Sequence, residues 1–578
     1  MTLPRHAPPQ HEDAMSSATE PQQHVIGIGV SPGRATGVVV LMPDPVPEPP
    51  AGTTLDPSAD GEQAAERIAA ASHQVQGDLQ DAGSRANGTG REVLETTAMM
   101  AADPTLICTA QQLVREVRLD PARAVWQSAA QVIDQLAGLG GYMAERTRDV
   151  ADVRDRIVAA LSGQPAPGVP NPDHPFILLA KDLSPADTAA LDPSRVVAII
   201  MSGGGPTSHA AIVARSLGIP AVVGAAGAAA IAEGTVVLVD GAAGTVILDP
   251  TDEQIARAAE LAARVRTFDG TGRTSDGHRV PLLANIGRPD GAQAAADAGA
   301  EGVGLFRTEF CFFDRLDAPS IADQVAHYRQ VLAAFSGKKV VVRTLDAGAD
   351  KPLPFLTSTD EPNPALGVRG FRTSSRNPEV LEDQLTAIAQ AAAAETADVW
   401  VMAPMVATVA ETEEFVGRCH AHGLATAGVM VEVPSAALQS GPILARAAFA
   451  SIGTNDLTQY AMAADRLLGE LATLSSPWQP AVLQLIAATC RGGAQHDRPV
   501  GVCGEAAADP ALAVVLVGLG IATLSMTARA LPDVAAVLGS VTHETCRQLA
   551  QLALAAESAE GARAAVRAHL PVLEELGL

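Results

Sequence analysis

The chain has 578 residues, 47% of them apolar and only 3% aromatic, and carries a formal net charge of −25. That length implies several domains with cores of Ala, Val, Leu and Ile, and the charge argues against nucleic acid or an anionic membrane as a partner. Six cysteines without paired spacing point to a reducing compartment, the cytoplasm, rather than a disulfide framework; no signal peptide and no apolar run long enough to span a bilayer is seen.

Residues 1–24 are polar and contain Pro, Gln and His, and read as a disordered extension. GIGVSPGRATGVVV, from Gly27, reads as β structure. Two proline-rich breaks follow, one from Pro43 and one from Ser162 to Pro175. Between them the period is helical: Ala64, Ile68, Ala71, Val75 and Leu79 share a face, as do Val125, Ala129, Val132 and Leu136, and Val150, Val153, Ile157 and Leu161. After the second break FILLA, VVAIIM, TVVLVDG and GTVILDP resume the β pattern. The expected arrangement is an α/β domain over 25–57 and 166–250 with an all-helical block, 58–165, inserted into it. A connecting helix over 251–269 opens with a capping box of Thr251 and Gln254.

Inside the α/β region lies GGGPTSHAAIVARSLGIPAVVG, Gly203 to Gly224. A helix starts after Thr207 or Ser208, either of which suits the N-cap, and stops at Gly218 and Pro220. His209 then falls in the first turn. The positive end of the helix dipole disfavours imidazolium and favours an anion there, so a neutral, nucleophilic ring that carries phosphate fits. An ordinary helix start with an incidental histidine is the alternative.

From about 270 to 578 short β runs alternate with helices: PLLANIG, GVGLFRTEF, KVVVRTLD, VWVMAPM, AGVMVEVP, FASIGTND and VGVCGE, with an eighth placed at LGVRGFR. This alternation fits a TIM-type (β/α)8 barrel, with a doubly wound open sheet as the competing arrangement. The strand ends carry Asn285, Arg307, Arg343, Glu432, Asn455, Asp456 and Cys503. Arginine forks suit phosphate and carboxylate oxygens. Glu432 and Asp456 suit Mg²⁺, and Cys503 is a candidate proton donor. Lys351, Arg369 and Arg466 add cations. Such a set suits a small, highly anionic substrate with phosphate and carboxylate groups, and no Walker A or dinucleotide fingerprint supplies a nucleotide site.

Together these stretches resemble Enzyme I of the bacterial phosphotransferase system, the phosphoenolpyruvate–protein phosphotransferases, from about residue 25 to the end. The resemblance implies a swivelling phosphohistidine domain, an inserted subdomain over 58–165 that binds the carrier protein HPr, and a barrel over 270–578 that binds phosphoenolpyruvate and forms a homodimer. It implies that His209 takes phosphate from phosphoenolpyruvate and passes it to a histidine of HPr, in sugar transport. Arg307 and Arg343 match phosphate-binding arginines, Asn455 and Arg466 further substrate contacts, and Glu432 and Asp456 the Mg²⁺ ligands. Cys503 matches the residue that protonates the enolate as pyruvate forms. YMAERTRDVADV, from Tyr142, matches the docking subdomain.

The sequence departs from that pattern at Leu94 and Thr97, where the family often has Phe and His, and at LSSP, where it has LYQP. Three other readings compete. A dikinase or phosphoenolpyruvate synthase would carry a large ATP-grasp domain, usually ahead of the histidine domain. A regulatory protein on the same scaffold would be expected to lose some of the site set. Paralogues that feed a nitrogen-regulatory carrier or a dihydroxyacetone kinase usually carry further domains.

Overall fold

In the computed structural model residues 23–578 are described, except 44–45, 86–88, 140–146, 184–186, 189–190, 206–207, 265, 314, 349–352, 358–360, 467, 469–470 and 472. Thr207, Lys351, the start of the Tyr142 stretch and nearly all of the expected N-terminal extension lie outside the described residues.

Eight strands form the first sheet: β1 (His24–Ile26), β2 (Ile28–Ser31), β3 (Arg34–Leu41), β4 (Phe176–Ala180), β5 (Val196–Met201), β6 (Ala221–Val223), β7 (Val236–Asp240) and β8 (Thr245–Leu248). Their order is β1-β8-β7-β3-β4-β5-β6-β2. The centre, β3 to β6, is parallel, and β2, β7, β8 and β1 add antiparallel flanks. FILLA and VVAIIM are continuously apolar because both faces of this sheet are covered. Phe176, Leu178 and Ala180 enter one core, and Ile177 and Leu179 the other.

Between β3 and β4 the chain forms α1 (Gly61–Arg85), α2 (Thr89–Ala101), α3 (Pro104–Val117), α4 (Pro121–Leu139) and α5 (Thr147–Ser162). Their apolar stripes meet in a core of their own, which takes in Ile68, Val75, Leu79, Val125, Ala129, Val153 and Ile157. The two unfamiliar positions face that core: Leu94 and Thr97 are both buried. Helix α6 (His209–Leu217) follows β5 and buries Ala210, Ala211 and Ala214 against the sheet. Helix α7 (Asp252–Ala263) makes both bonds of its capping box, Gln254 N to Thr251 Oγ1 at 3.3 Å and Thr251 N to Gln254 Oε1 at 2.8 Å.

The second half is a closed barrel of β9 (Leu282–Ile286), β10 (Gly302–Arg307), β11 (Lys339–Arg343), β12 (Asp398–Ala403), β13 (Ala427–Val431), β14 (Ala450–Ile452), β15 (Val500–Val502) and β16 (Thr523–Met526). Every neighbour pair is parallel, and β16 pairs with β9, which excludes the open sheet. One strand is not where the pattern put it. LGVRGFR contains 3₁₀ turns, because Gly370 has φ +60° and breaks any extended run there. The eighth strand is TLSM, only four residues, reached directly from an apolar helix that masks its start. All six cysteines are free thiols, and no described helix is long and apolar enough to cross a membrane.

Candidate active site

Strand parity builds the mouth of the barrel. Alternate strand residues point to opposite faces. Leu305, Val341, Met402, Met430 and Cys503 form a separate inner cluster, while Val340, Val342, Val429 and Val431 face the outer helices. Two residues beyond Leu305, Val341 and Met430 stand Arg307, Arg343 and Glu432. The same parity carries them to the inner side at the C-terminal rim, where barrels of this type place their chemistry. Asn285 and Ser525 sit between outward-facing neighbours and meet each other: Ser525 Oγ donates to Asn285 Oδ1 at 2.6 Å, and Asn285 Nδ2 donates to the Cys503 carbonyl at 3.0 Å.

The rim holds a buried ionic network. Arg343 Nη2 donates to Glu309 Oε1 at 2.8 Å and Nη1 lies 3.2 Å from Asp346 Oδ2. Arg369, only 1% exposed, forks both ways: to Asp346 Oδ1 and Oδ2 at 3.1 Å each, and to Asp456 Oδ1 and Oδ2 at 3.0 and 3.4 Å. Arg466 Nη1 is 3.7 Å from Asp456 Oδ2. Glu432 Oε1 accepts from the Met405 N–H at 2.7 Å. Arg369 therefore cross-links the segments that follow β11 and β14. The buried Nε of Arg343 and Oγ1 of Thr454 have no hydrogen-bond partner among the described residues, as expected of groups that await a ligand.

Four carboxylates (Glu309, Asp346, Glu432, Asp456) stand here against Arg343, Arg369 and Arg466. The Glu432 carboxyl is pushed up to about 8, first by burial, then by Asp456 and Asp346, with Arg343 and Arg369 opposing. A divalent cation would relieve that crowding. The local backbone leaves room for one, since a Cβ on Gly453 would stand 2.8 Å from Glu432 Oε2. Glu432 and Asp456 thus fit a hard cation that completes its shell with substrate oxygens and water. Among the described residues no group of three or more potential metal-ligating side chains converges.

Cys503 is buried at the top of the inner cluster, and its thiol donates to the Ile452 carbonyl at 3.6 Å. Burial pushes it up to about 11; a hydrogen bond with Ser451 and the charges of Arg343 and Arg307 oppose this. It is a protonated thiol at neutral pH, suited to give a proton rather than to attack. Arg307 is exposed at the rim. Asn455 Oδ1 is occupied, accepting from the Glu505 N–H at 3.2 Å.

Helix α6 begins at His209 as the motif implied. Ser208 is the N-cap and accepts from the Ala211 N–H at 3.2 Å. Gly218 closes the helix with φ +64°, and a Cβ there would overlap the Arg529 guanidinium. Bonds that join this helix to the barrel include Arg215 Nε to Glu505 Oε2 at 2.8 Å, and Arg529 Nη1 to the Leu217 carbonyl at 2.8 Å. Sequence reasoning missed both, as well as Glu309 and Asp346. The acids lie inside motifs already singled out, RTEF and TLDAGAD, where only cations were sought. Arg215 reads in sequence as a cation at a helix C-terminus, and nothing local names its partner.

Comparison with known proteins finds three successive domains of one kind. The PEP-utilising enzyme N-terminal domain matches residues 26–146, the PEP-utilising enzyme mobile domain 172–244, and the PEP-utilising enzyme PEP-binding domain 262–542. A phosphoenolpyruvate-protein phosphotransferase of Streptomyces coelicolor is 51% identical over 550 residues, covering 94% of this chain and 98% of that one. The chain belongs to the phosphoenolpyruvate–protein phosphotransferase family. A second member, from Haloferax volcanii, is 39% identical over 548 residues, covering 92% of this chain and 97% of that one. A multiphosphoryl transfer protein of Xanthomonas campestris is 38% identical over 94% of this chain and 67% of its own length. The ion network at the barrel rim is therefore that of a PEP-utilising transferase, within the residues matched by the PEP-binding domain, while α6 lies within the mobile domain.

Proposed function

We propose that the chain transfers the phosphoryl group of phosphoenolpyruvate to His209 and then to a histidine of the carrier HPr, as the entry step of sugar uptake by a phosphotransferase system. The observation that carries this reading is the joining of the His209 helix to the barrel rim through Arg215 and Glu505, beside an arginine-rich mouth in which Arg343 Nε has no partner among the described residues. Arg307 and Arg343 hold the phosphate, and Arg466 and Asn455 help to place the substrate. Lys351 is a further cation of this set. Glu432 and Asp456 hold Mg²⁺, which neutralises phosphoryl charge when bound. Arg369 keeps Asp346 and Asp456 in place.

An imidazole nitrogen of His209 attacks phosphorus as the bond to the enol oxygen breaks. The enolate takes the Cys503 thiol proton on carbon and leaves as pyruvate; solvent then reprotonates the thiolate. The phosphoryl group next moves from His209 to the carrier histidine, which restores the neutral ring. Most of the rate comes from positioning and charge neutralisation. The domain assignment follows: 25–57 with 166–250 as the swivelling histidine domain, 58–165 as the HPr-binding subdomain, 251–269 as the linker, and 270–578 as the substrate-binding and dimerisation barrel, in a cytoplasmic homodimer.

The test is pyruvate release. With phosphoenolpyruvate and Mg²⁺ alone, a burst of one pyruvate per chain is expected, and continuous turnover only after HPr is added. EDTA should stop both. Continuous pyruvate release without a carrier would contradict the proposal.

The bond between Arg215 and Glu505 gives a second expected outcome. The Arg215 side chain is 17% exposed and that of Glu505 29%, so the pair is partly desolvated. Arg215→Ala should slow phosphorylation by phosphoenolpyruvate about tenfold, the worth of one such charge-assisted bond. Phosphate return from phospho-HPr, which does not use the barrel, should keep its rate. Equal losses in both directions would show a general defect of the histidine domain instead.

A further inference from the structure

A cavity of about 690 Å³ is lined by Arg215 near the C-terminal end of α6 and by Gly218, which closes that helix. Its walls come from the turn after β2, the end of α6, helix α7, the barrel rim around Arg529 and the C-terminal residues Leu576 and Gly577. Five arginines line it: Arg34, Arg215, Arg264, Arg266 and Arg529. Asp533 is the one carboxylate on the wall among the described residues, and it is engaged by Arg266. The other partners lie behind the wall: Asp240 holds Arg34 at 2.6 Å, Glu505 holds Arg215 at 2.8 Å and Glu260 holds Arg264 at 2.7 Å. In a chain of net charge −25, so cationic a lining is not what composition would place there.

Unused donors also face this space. Arg34 engages Asp240 through Nε, and Arg529 engages Leu217 through Nη1; among the described residues the other N–H groups of both forks make no further hydrogen bond. Ser31, on the wall and 1% exposed, has a hydroxyl with no partner among the described residues, as does the buried hydroxyl of Thr36. Buried hydroxyls of this kind ordinarily find a partner. The volume falls in the range of small-molecule sites.

We propose that this cavity binds a small metabolite carrying two or more anionic groups, at least one of them phosphate. Guanidinium forks match phosphate oxygens two at a time, and several converging forks select a polyanion over a single charge. The ligand would touch the histidine domain, α7 and the barrel together. It therefore stabilises the arrangement in which α6 meets the rim, and acts as an effector separate from the substrate.

The test is titration calorimetry of the full chain with inorganic pyrophosphate, in EDTA to weaken binding at the barrel mouth. Three proteins are compared: wild type, Arg264→Gln/Arg529→Gln, whose side chains are exposed, and Arg307→Gln at the rim. Binding of pyrophosphate to wild type and to Arg307→Gln, at least about tenfold weaker in the double variant, is the expected result. Unchanged circular dichroism of the double variant excludes misfolding as the cause. No binding to wild type, or binding lost with Arg307→Gln and kept in the double variant, would overturn the proposal.

Discussion

Arg369→Ala is expected to leave no measurable phosphotransfer and to destabilise the barrel by about 3–5 kcal/mol. The side chain is fully enclosed, and it bonds to Asp346, Asp456 and Tyr460. Its loss would take one guanidinium from Asp346, which keeps Arg343, and one from Asp456, which keeps Arg466, in a site that already crowds Glu432. Breaking one member of such a buried set costs far more than the set contributes. The barrel should unfold at a clearly lower denaturant midpoint. Arg369→Lys separates charge from geometry: it keeps the cation but cannot fork to two carboxylates at once. It should recover part of the stability and little of the activity. A lysine variant as active as wild type would show that charge alone is needed.

Cys503→Ala should lower steady pyruvate formation by about 10²–10⁴, the usual worth of a positioned general acid. The thiol is held protonated by burial, and its neighbours Ser451, Ile452 and Asn285 fix it at the top of the inner cluster. Since it is pushed up to about 11, it remains a donor through the neutral range. Its own titration should therefore not depress activity until pH rises towards that value. Methyl replacement is small, so the fold should survive. The variant separates the half-reactions: phosphate exchange between His209 and HPr should continue at the wild-type rate. A proportionate loss of that exchange would mean that Cys503 supports structure rather than proton transfer.

Much of this architecture is legible in the residues. Continuous apolar runs mark the covered sheet, and 3.6-residue stripes mark the helices of the inserted block. The rim is legible because barrel strands alternate: Leu305 to Arg307, Val341 to Arg343 and Met430 to Glu432 are two-residue steps on one face. What was hidden depends on long-range contact. LGVRGFR has the apolar content of a strand, and only the positive φ of Gly370 reveals otherwise. TLSM follows within a few residues of a continuously apolar helix, so no change of composition marks its start. Arg369 reads locally as one more cation, and nothing nearby shows that Asp346, 23 residues away, and Asp456, 87 residues away, bond to it. The same holds for Arg215, whose partner Glu505 lies in the other half of the chain. Ion pairs between distant segments leave no periodicity for a sequence reader to find.

His209 is expected to carry the phosphoryl group. Trypsin should release Val196–Arg215, a peptide in which His209 is the single histidine. The most direct measurement is to incubate the chain with radiolabelled phosphoenolpyruvate and Mg²⁺, digest at alkaline pH and locate the label. The account predicts about one phosphate per chain, in this peptide, stable in alkali, lost in acid, and absent from His209→Ala. An acid-stable label, a label in another peptide, or labelling that survives in folded His209→Ala would contradict it.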